Sequence, residues 1–404
     1  MISSSFNPPI YLDHAATTSM TPAALEAMTR ELATTGNPSS LHTSGRRGHR
    51  VMEEARERLA KAAGAHATEI IFTSGGTEAD NLALKGLYWT CQAEDTRRRR
   101  ILLTGIEHHA VLDTAEWLEA HEGAVLEVIP VDRDGRLDVD AFAKAVAHEP
   151  ETIALATLMW ANNEVGTVQD IAAVARTAAE HGVPLHTDAV QAFGSVPVSF
   201  KDSGAATMAI SAHKIGGPVG IGALLVRRDV KLTPVQHGGG HERSLRSGTL
   251  NAAAATAFAV AAEEAVGHLE AEYERIASLR DTLIAGIEER VPEATLNGSR
   301  DADHQGERLP GNVHFTFPGC EGDTLLFLLD SVGLQTSTGS ACTAGVARAS
   351  HVLVAMGRND DDARSVQRIT LGHTSSQEDV DAVLSVIADV YQRSKAAGMA
   401  AGRK

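Results

Sequence analysis

Cysteine is scarce in this chain, with only Cys91, Cys320 and Cys342 among 404 residues. The count is odd and no C-x-x-C spacing occurs. That argues against a secreted disulfide framework and a structural zinc site, and it leaves room for one working thiol in a reducing compartment. Aromatic residues are few, at 4%. Positive charge is the minority sign: 36 Lys and Arg against 52 Asp and Glu leave a formal net charge of −16. Nucleic-acid binding wants basic surface and stacking rings, so direct contact with nucleic acid is not expected. The one basic run, Arg97 to Arg100, reads as a solvated surface turn. No apolar run approaches the ~18 residues of a membrane span, and the Ala-rich stretch from Ala252 is broken by Glu263 and Glu264. The opening MISSSFNPPI has neither a basic n-region nor an apolar h-region. A signal peptide is therefore not expected, and a cytoplasmic location is.

What is present is ordinary globular material, 43% hydrophobic and 22% charged, with length for two domains. Between residues 69 and 227, short β-branched runs alternate with longer helical ones. Strands are expected at 69–73, 101–104, 125–131, 152–159, 183–187, 207–211 and 222–226. Helices are expected from about 77, and at 110–121, 139–148 and 171–180. This alternation predicts an α/β fold, with a mostly parallel sheet covered on both faces and ligands at the carboxyl ends of its strands. After residue 250 the pattern changes. A long helical stretch runs to about 290 with breaks, followed by strands at 313–317 and 366–370 and helices at 324–330 and 378–393. The expected division is a large domain over 16–260 and a smaller α+β domain built from 1–15 and 261–404.

Polar clusters fall just after several of these strands. Ser211-Ala212-His213-Lys214 ends one in a Gly-rich turn. A lysine sheltered there loses ammonium pKa and becomes a Schiff-base candidate. Asp188 ends another strand, where a carboxylate can pair with a pyridinium nitrogen as a pyridoxal phosphate site requires. Gln191, three residues on, can donate to the phenolic oxygen of such a ring. Thr73-Ser74-Gly75-Gly76-Thr77 is strand, glycine pair, then helix start, the geometry that aims free N–H groups at an anion. It matches neither G-x-x-x-x-G-K-[ST] nor G-x-G-x-x-G, which disfavours NTPase and Rossmann dinucleotide sites. His108 can stack on a flat ring and move protons. A metal site from Glu107, His108 and His109 is disfavoured, because adjacent side chains diverge. Asn162 and Asn163 offer amides to a cofactor oxygen or close a turn. Taken singly, Lys214 also reads as a surface lysine, Asp188 as a helix cap and Cys342 as an inert thiol. Small polar neighbours and flanking glycines suit Cys342 instead to a mobile exposed loop at about 335–347. Cys91 and Cys320 read as inert.

These segments lie in one order with YLDHAATT at 11–18, GNPSS at 36–40, HGGGHER at 237–243, RSGT at 246–249, SACT at 340–343 and RITLG at 368–372. Nearly the whole chain thereby resembles the class V aminotransferases, and more closely the cysteine desulfurases of the NifS/IscS type. The resemblance implies a fold-type I pyridoxal-phosphate transferase with a seven-stranded sheet. It implies that Lys214 bears the cofactor, Asp188 pairs its ring nitrogen, Gln191 reaches its phenolic oxygen and His108 stacks on it. Gly76, Thr77, Ser211 and His213 would hold the phosphate, with Thr249 reaching in from the other subunit of a homodimer. Asn163 and Arg368 would grip the substrate carboxylate. Cys342 would take sulfur from L-cysteine as a persulfide, leave L-alanine, and pass the sulfur to an iron–sulfur scaffold, a tRNA-thiolation enzyme or a partner in thio-cofactor biosynthesis. Arg348-Ala349-Ser350 departs from the Glu-Pro-Ser of many relatives, a difference bearing on loop docking and acceptor choice. Rival readings are transamination or selenocysteine cleavage on the same cofactor, a non-catalytic scaffold and a metallohydrolase.

Overall fold

The computed structural model describes residues 6–300, 306–339 and 349–401. Twelve strands are present among them. They are β1 Ile10–Tyr11, β2 Ile70–Thr73, β3 Arg100–Thr104, β4 Val125–Ile129, β5 Ile153–Thr157, β6 Leu185–Asp188, β7 Thr207–Ser211, β8 Gly222–Val226, β9 Thr295–Leu296, β10 Asn312–Thr316, β11 Leu334–Gln335 and β12 Val366–Thr370. Seven of them form one sheet in the order β2-β8-β7-β6-β5-β3-β4. Pairs from β7 through β4 are parallel, while β8 runs antiparallel to both β2 and β7. The chain therefore leaves β2, β3, β5, β6 and β7 along the same edge. This confirms the α/β, mostly parallel expectation and adds the direction of β8. The central strands β5, β6, β7 and β8 are buried at every position. That is why they read as continuous apolar runs rather than alternating ones.

Connecting helices start on side-chain caps that take up orphan N–H groups. Asp170 accepts from Ala173 N ahead of Ile171–Glu180, and Asn251 from Ala254 N ahead of Ala252–Gly267. The Ala-rich helix Ala252–Gly267 buries Ala253, Ala254, Ala255, Ala257, Ala259, Ala261 and Ala262 with Phe258. These small side chains let it pack closely against the helices Pro22–Leu32 and Thr43–Ala62. The long helical stretch breaks at His268, where Leu269–Arg290 takes over.

A second apolar cluster gathers Leu283, Ile287, Phe315, Phe317, Leu325 and Tyr391 around the antiparallel sheet β12-β10-β9. The two regions are laced by residues 10–21. There β1 pairs in parallel with β11. Thr370 N donates to Leu12 O at 2.8 Å, and Thr18 N and Thr21 N reach His213 O and Gly216 O at 3.1 and 2.9 Å. Among the described residues no helix is long and apolar enough to cross a membrane.

Candidate active site

The turn after β2 leads straight into the helix Gly76–Glu94, whose first residues have no side-chain cap. A cavity of about 240 Å³ opens there, lined by Ser74, Gly75, Gly76, Thr77, Ser211 and His213 among others. The Ser211 hydroxyl is buried against it with no hydrogen-bond partner among the described residues. A buried hydroxyl without a partner costs about 1–3 kcal/mol, so this one is placed for something that accepts from it. Glycine is needed where β8 begins: a Cβ on Gly222 would stand 2.7 Å from Gly75 C and 2.8 Å from Gly75 Cα. Uncapped N–H groups, a waiting hydroxyl and backbone that tolerates no bulk together fit a phosphate group. Sequence reading missed Glu78 and Arg246 beside it. Glu78 accepts from Ser74 N at 2.7 Å and from Arg246 Nε at 2.8 Å, and so fixes the turn.

Lys214 closes the one-turn helix that follows β7. Its Nζ donates to Ala15 O at 2.5 Å and Ala16 O at 2.8 Å. Burial, then the nearby Arg368 charge, lowers its pKa to about 8, against the opposing pull of Asp188 and Asp13. Gln191 Nε2 donates to the same Ala15 O at 2.9 Å, so two predicted site residues share one backbone acceptor. Asp188 is buried at the end of β6, and burial raises its pKa while His108, the Val190 N–H and Lys214 pull it down. Its Oδ1 accepts from Val190 N at 2.8 Å, closing a turn; the next helix begins only at Phe200, so Asp188 is not the helix cap that the plainer reading made it. Behind it, Asp80 meets His186 Nε2 at 3.1 Å and His186 Nδ1 meets Thr207 at 2.9 Å, all three fully buried. Glu107 is equally buried. Burial moves its pKa up to about 7 against hydrogen bonds from Thr104 and Met159 N, with Asp188 adding to the rise.

His108 caps the helix His109–Glu122 by accepting Ala110 N on Nδ1 at 3.1 Å. That bond assigns the ring proton of the neutral form to Nε2. Packing around the ring lowers its pKa, with Asp188 opposing and Lys214 reinforcing. His109 turns elsewhere, to Asp113 at 3.0 Å and to the His351 ring at 4.8 Å between centroids. Arg368, on β12, donates from Nη1 to Asn163 O at 2.9 Å and from Nη2 to Asp13 Oδ1 at 2.8 Å. Its Nε is buried and unpartnered among the described residues. Asp13 as the partner of this arginine was not foreseen, since 355 residues separate the two.

His213 lines the cradle and meets Thr17 Oγ1 at 3.2 Å, with its pKa lowered to about 4 by burial and by Lys214. Thr249 is exposed and does not line the cradle of its own chain. Cys342 and most of the 335–347 stretch lie outside the described residues. Cys91 and Cys320 are buried, donating to Ala154 O at 3.3 Å and Tyr391 O at 3.7 Å. In the basic run, Arg98 and Arg99 spend their Nε groups on Ile153 O and Gly123 O. These two arginines brace the sheet edge rather than stand free as a patch.

The family model described as "Aminotransferase class-V" matches residues 10–383. An IscS-like cysteine desulfurase of Mycobacterium tuberculosis is 52% identical over 391 residues, covering 97% of this chain and 98% of the relative. A cysteine desulfurase IscS of Clostridium botulinum is 41% identical over 388 residues, covering 96% and 95%. A solved structure of a NifS-like protein superposes with a TM-score of 0.86 at 35% identity, covering 95% of this chain and 99% of that one. The chain belongs to the class V aminotransferase family and, within it, to the cysteine desulfurases of the NifS/IscS type.

Proposed function

We propose that this cysteine desulfurase holds pyridoxal 5'-phosphate between the Ser74–Thr77 turn and Lys214, and converts L-cysteine to L-alanine with sulfur leaving on Cys342. One observation carries the reading: the unpartnered Ser211 hydroxyl, the buried Asp188 carboxylate and the low-pKa Lys214 amine all sit at the carboxyl edge of one sheet. When bound, the cofactor's ring withdraws electrons from the carbon that bears the substrate amine.

The chain's residues divide the remaining work. Gly76, Thr77, Ser211 and His213 hold the phosphate, with Thr249 completing the cradle from a second copy in a homodimer. Asp188 keeps a proton on the ring nitrogen, and Gln191 turns from Ala15 O to the phenolic oxygen. Arg368 and Asn163 orient the substrate carboxylate, for which the planar guanidinium fork is suited. Burial and the Arg368 charge hold the Lys214 pKa down at about 8, which favours the free amine suited to taking the Cα proton. His108 Nε2 manages the proton at the departing sulfur. The Cys342 thiolate attacks that sulfur. A sulfur–sulfur bond forms, the carbon–sulfur bond breaks, and its electron pair stays on carbon and is protonated. Cysteine plus thiolate thus becomes alanine plus persulfide anion, with no outside oxidant.

The chain position of Cys342 supports its role. It follows Ser337 by five residues, and Ser337 is bridged to Arg368. The acceptor that follows is an iron–sulfur scaffold or a tRNA-thiolation enzyme, in a reducing cytoplasm that keeps the thiol free.

The test is cysteine turnover under reductant, with alanine and sulfide both measured, alongside the absorbance spectrum. Wild type should show a band near the visible edge and release alanine and sulfide in equal amounts. Cys342→Ala should keep the band and lose turnover, and Lys214→Ala should lose both. Equal turnover in wild type and Cys342→Ala would remove Cys342 from the mechanism.

A further inference from the structure

The proposed cofactor site draws its contacts from three elements, and one buried chain of side chains joins those elements. Gly76 and Thr77 open the helix Gly76–Glu94, Asp188 ends β6, and Ser211 ends β7 ahead of Lys214. Asp80 is three residues past Thr77, about one turn further into the same helix. Its Oδ1 meets His186 Nε2 at 3.1 Å, and His186 Nδ1 meets Thr207 Oγ1 at 2.9 Å. His186 lies two residues before Asp188, on the same face of β6. It pairs across the sheet with Thr207, the first residue of β7. None of the three side chains is needed to touch the cofactor, yet each stands on an element that does.

The packing around this chain is apolar. Ala79, Leu82 and Ala83 of the helix share one buried cluster with Leu155, Ala209 and Leu224 of the sheet. Apolar attraction is non-directional, so it presses the helix onto the sheet without fixing how far it slides. The Asp80–His186 bond is directional and does fix it. Burial pushes the Asp80 carboxyl well up, with the Asp188 and Glu107 charges adding to the rise, and pushes His186 down to about 3. The pair is thus uncharged at neutral pH and serves by geometry. A buried polar pair is weak ground for stability, and fixing register is its best-attested use.

We propose that Asp80 is a positioning residue for the cofactor: its bond to His186, carried on to Thr207, sets the spacing between the phosphate cradle and the carboxylate that meets the ring nitrogen. This rests on the cofactor reading above. Pyridoxal phosphate carries those two groups at a nearly fixed separation. A cradle and a carboxylate held at the matching separation engage both at once, and affinity then gains by effective concentration. An asparagine amide can donate or accept in the place of the Asp80 carboxyl, whereas alanine can do neither.

The experiment compares the full chain, freed of cofactor, as wild type, Asp80→Ala, Asp80→Asn and His186→Leu. Each is titrated with pyridoxal 5'-phosphate and with pyridoxal, followed by the visible band, and with inorganic phosphate, followed by calorimetry. Asp80→Ala should weaken pyridoxal phosphate on the order of 10–100-fold, while pyridoxal alone and phosphate alone bind as they do to wild type. His186→Leu should behave the same way, and it decides the matter if Asp80→Ala does not fold. Asp80→Asn should recover most of the wild-type affinity. Unchanged affinity for pyridoxal phosphate in both Asp80→Ala and His186→Leu overturns the inference. So does a loss shared equally by pyridoxal alone or phosphate alone, or an Asp80→Asn as weak as Asp80→Ala. A wild type that takes up no pyridoxal phosphate would instead overturn the cofactor reading, so the two failures are distinguishable.

Discussion

Burial sets the chemistry of single residues here, and it does so with opposite signs on bases and acids. Lys214 carries a pKa lowered to about 8. Reductive methylation by formaldehyde, followed peptide by peptide on cofactor-free protein, should therefore reach half its maximal rate at Lys214 near pH 8, about two units below exposed lysines. Glu107 is the converse case, an acid raised to about 7 by burial. Its folded pKa lies above its unfolded value, so its contribution is intact below about pH 4.5 and is lost as pH rises through about 7. Glu107→Gln should thus gain stability over wild type at pH 8, by about 1–3 kcal/mol, with the gain vanishing at pH 4.5. Urea melts at the two pH values measure it. Lys214, Asp188, Ser211 and His213 were legible in the sequence because each stands at the end of a strand, where local pattern and chemistry coincide. Glu107, Asp13 and Asp80 were not. Their meaning lies in burial and in partners far along the chain, which local pattern does not carry.

At the scale of elements, the open edge of the large sheet is managed by one ion pair. β2 is an edge strand, and an exposed edge invites pairing with other chains. Arg56 donates to Ile70 O at 2.8 Å and to both Glu242 oxygens at 2.8 and 2.7 Å, while Glu242 Oε2 also accepts Phe72 N at 2.7 Å. Glu242, Arg243 and Ser244 all take left-handed φ angles of 43°, 55° and 62°. Such backbone costs of order 1–3 kcal/mol per residue and persists only where its surroundings fix it. Arg56→Ala leaves a buried carboxylate alone and should cost about 3–5 kcal/mol in denaturant unfolding. Replacing both residues by apolar ones of similar volume should cost far less. Strands β7, β8 and β12 fell where the sequence pattern placed them. The direction of β8 did not follow from GALLV, because a five-residue buried run looks the same in either sense. The helices Pro22–Leu32 and Thr43–Ala62 went unread. The second is crowded with arginine and glutamate, and its buried face of Gly45, Gly48, Met52, Ala55 and Leu59 shows only once the Ala-rich helix is packed against it.

Across the whole molecule, Thr249 is exposed and stands outside the cradle of its own chain, and the proposed function assigns it to the cradle of a second copy. In the proposed homodimer each cradle draws Thr249 from the other copy. Thr249→Ala and Lys214→Ala should each bind cofactor poorly alone. Refolded together, they form hybrids in which one site has both residues intact. Cofactor binding, read by the visible band, should recover in the mixture in proportion to the hybrid fraction. No recovery would place Thr249 in its own chain's site. This arrangement rested on resemblance from the outset, because a lone chain's sequence carries no local signal for a residue that serves another copy.

The strap of residues 10–21 joins one more pair of events. Ala15 and Ala16 hold the amine of Lys214, and two residues upstream Asp13 holds Arg368. On the proposed reading, Lys214 would have to release those carbonyls to hold the cofactor, so the cofactor and the substrate carboxylate would both bear on this one strap. Any change that cofactor loading makes in affinity for the substrate carboxylate would then be matched by an equal change that the substrate makes in affinity for the cofactor.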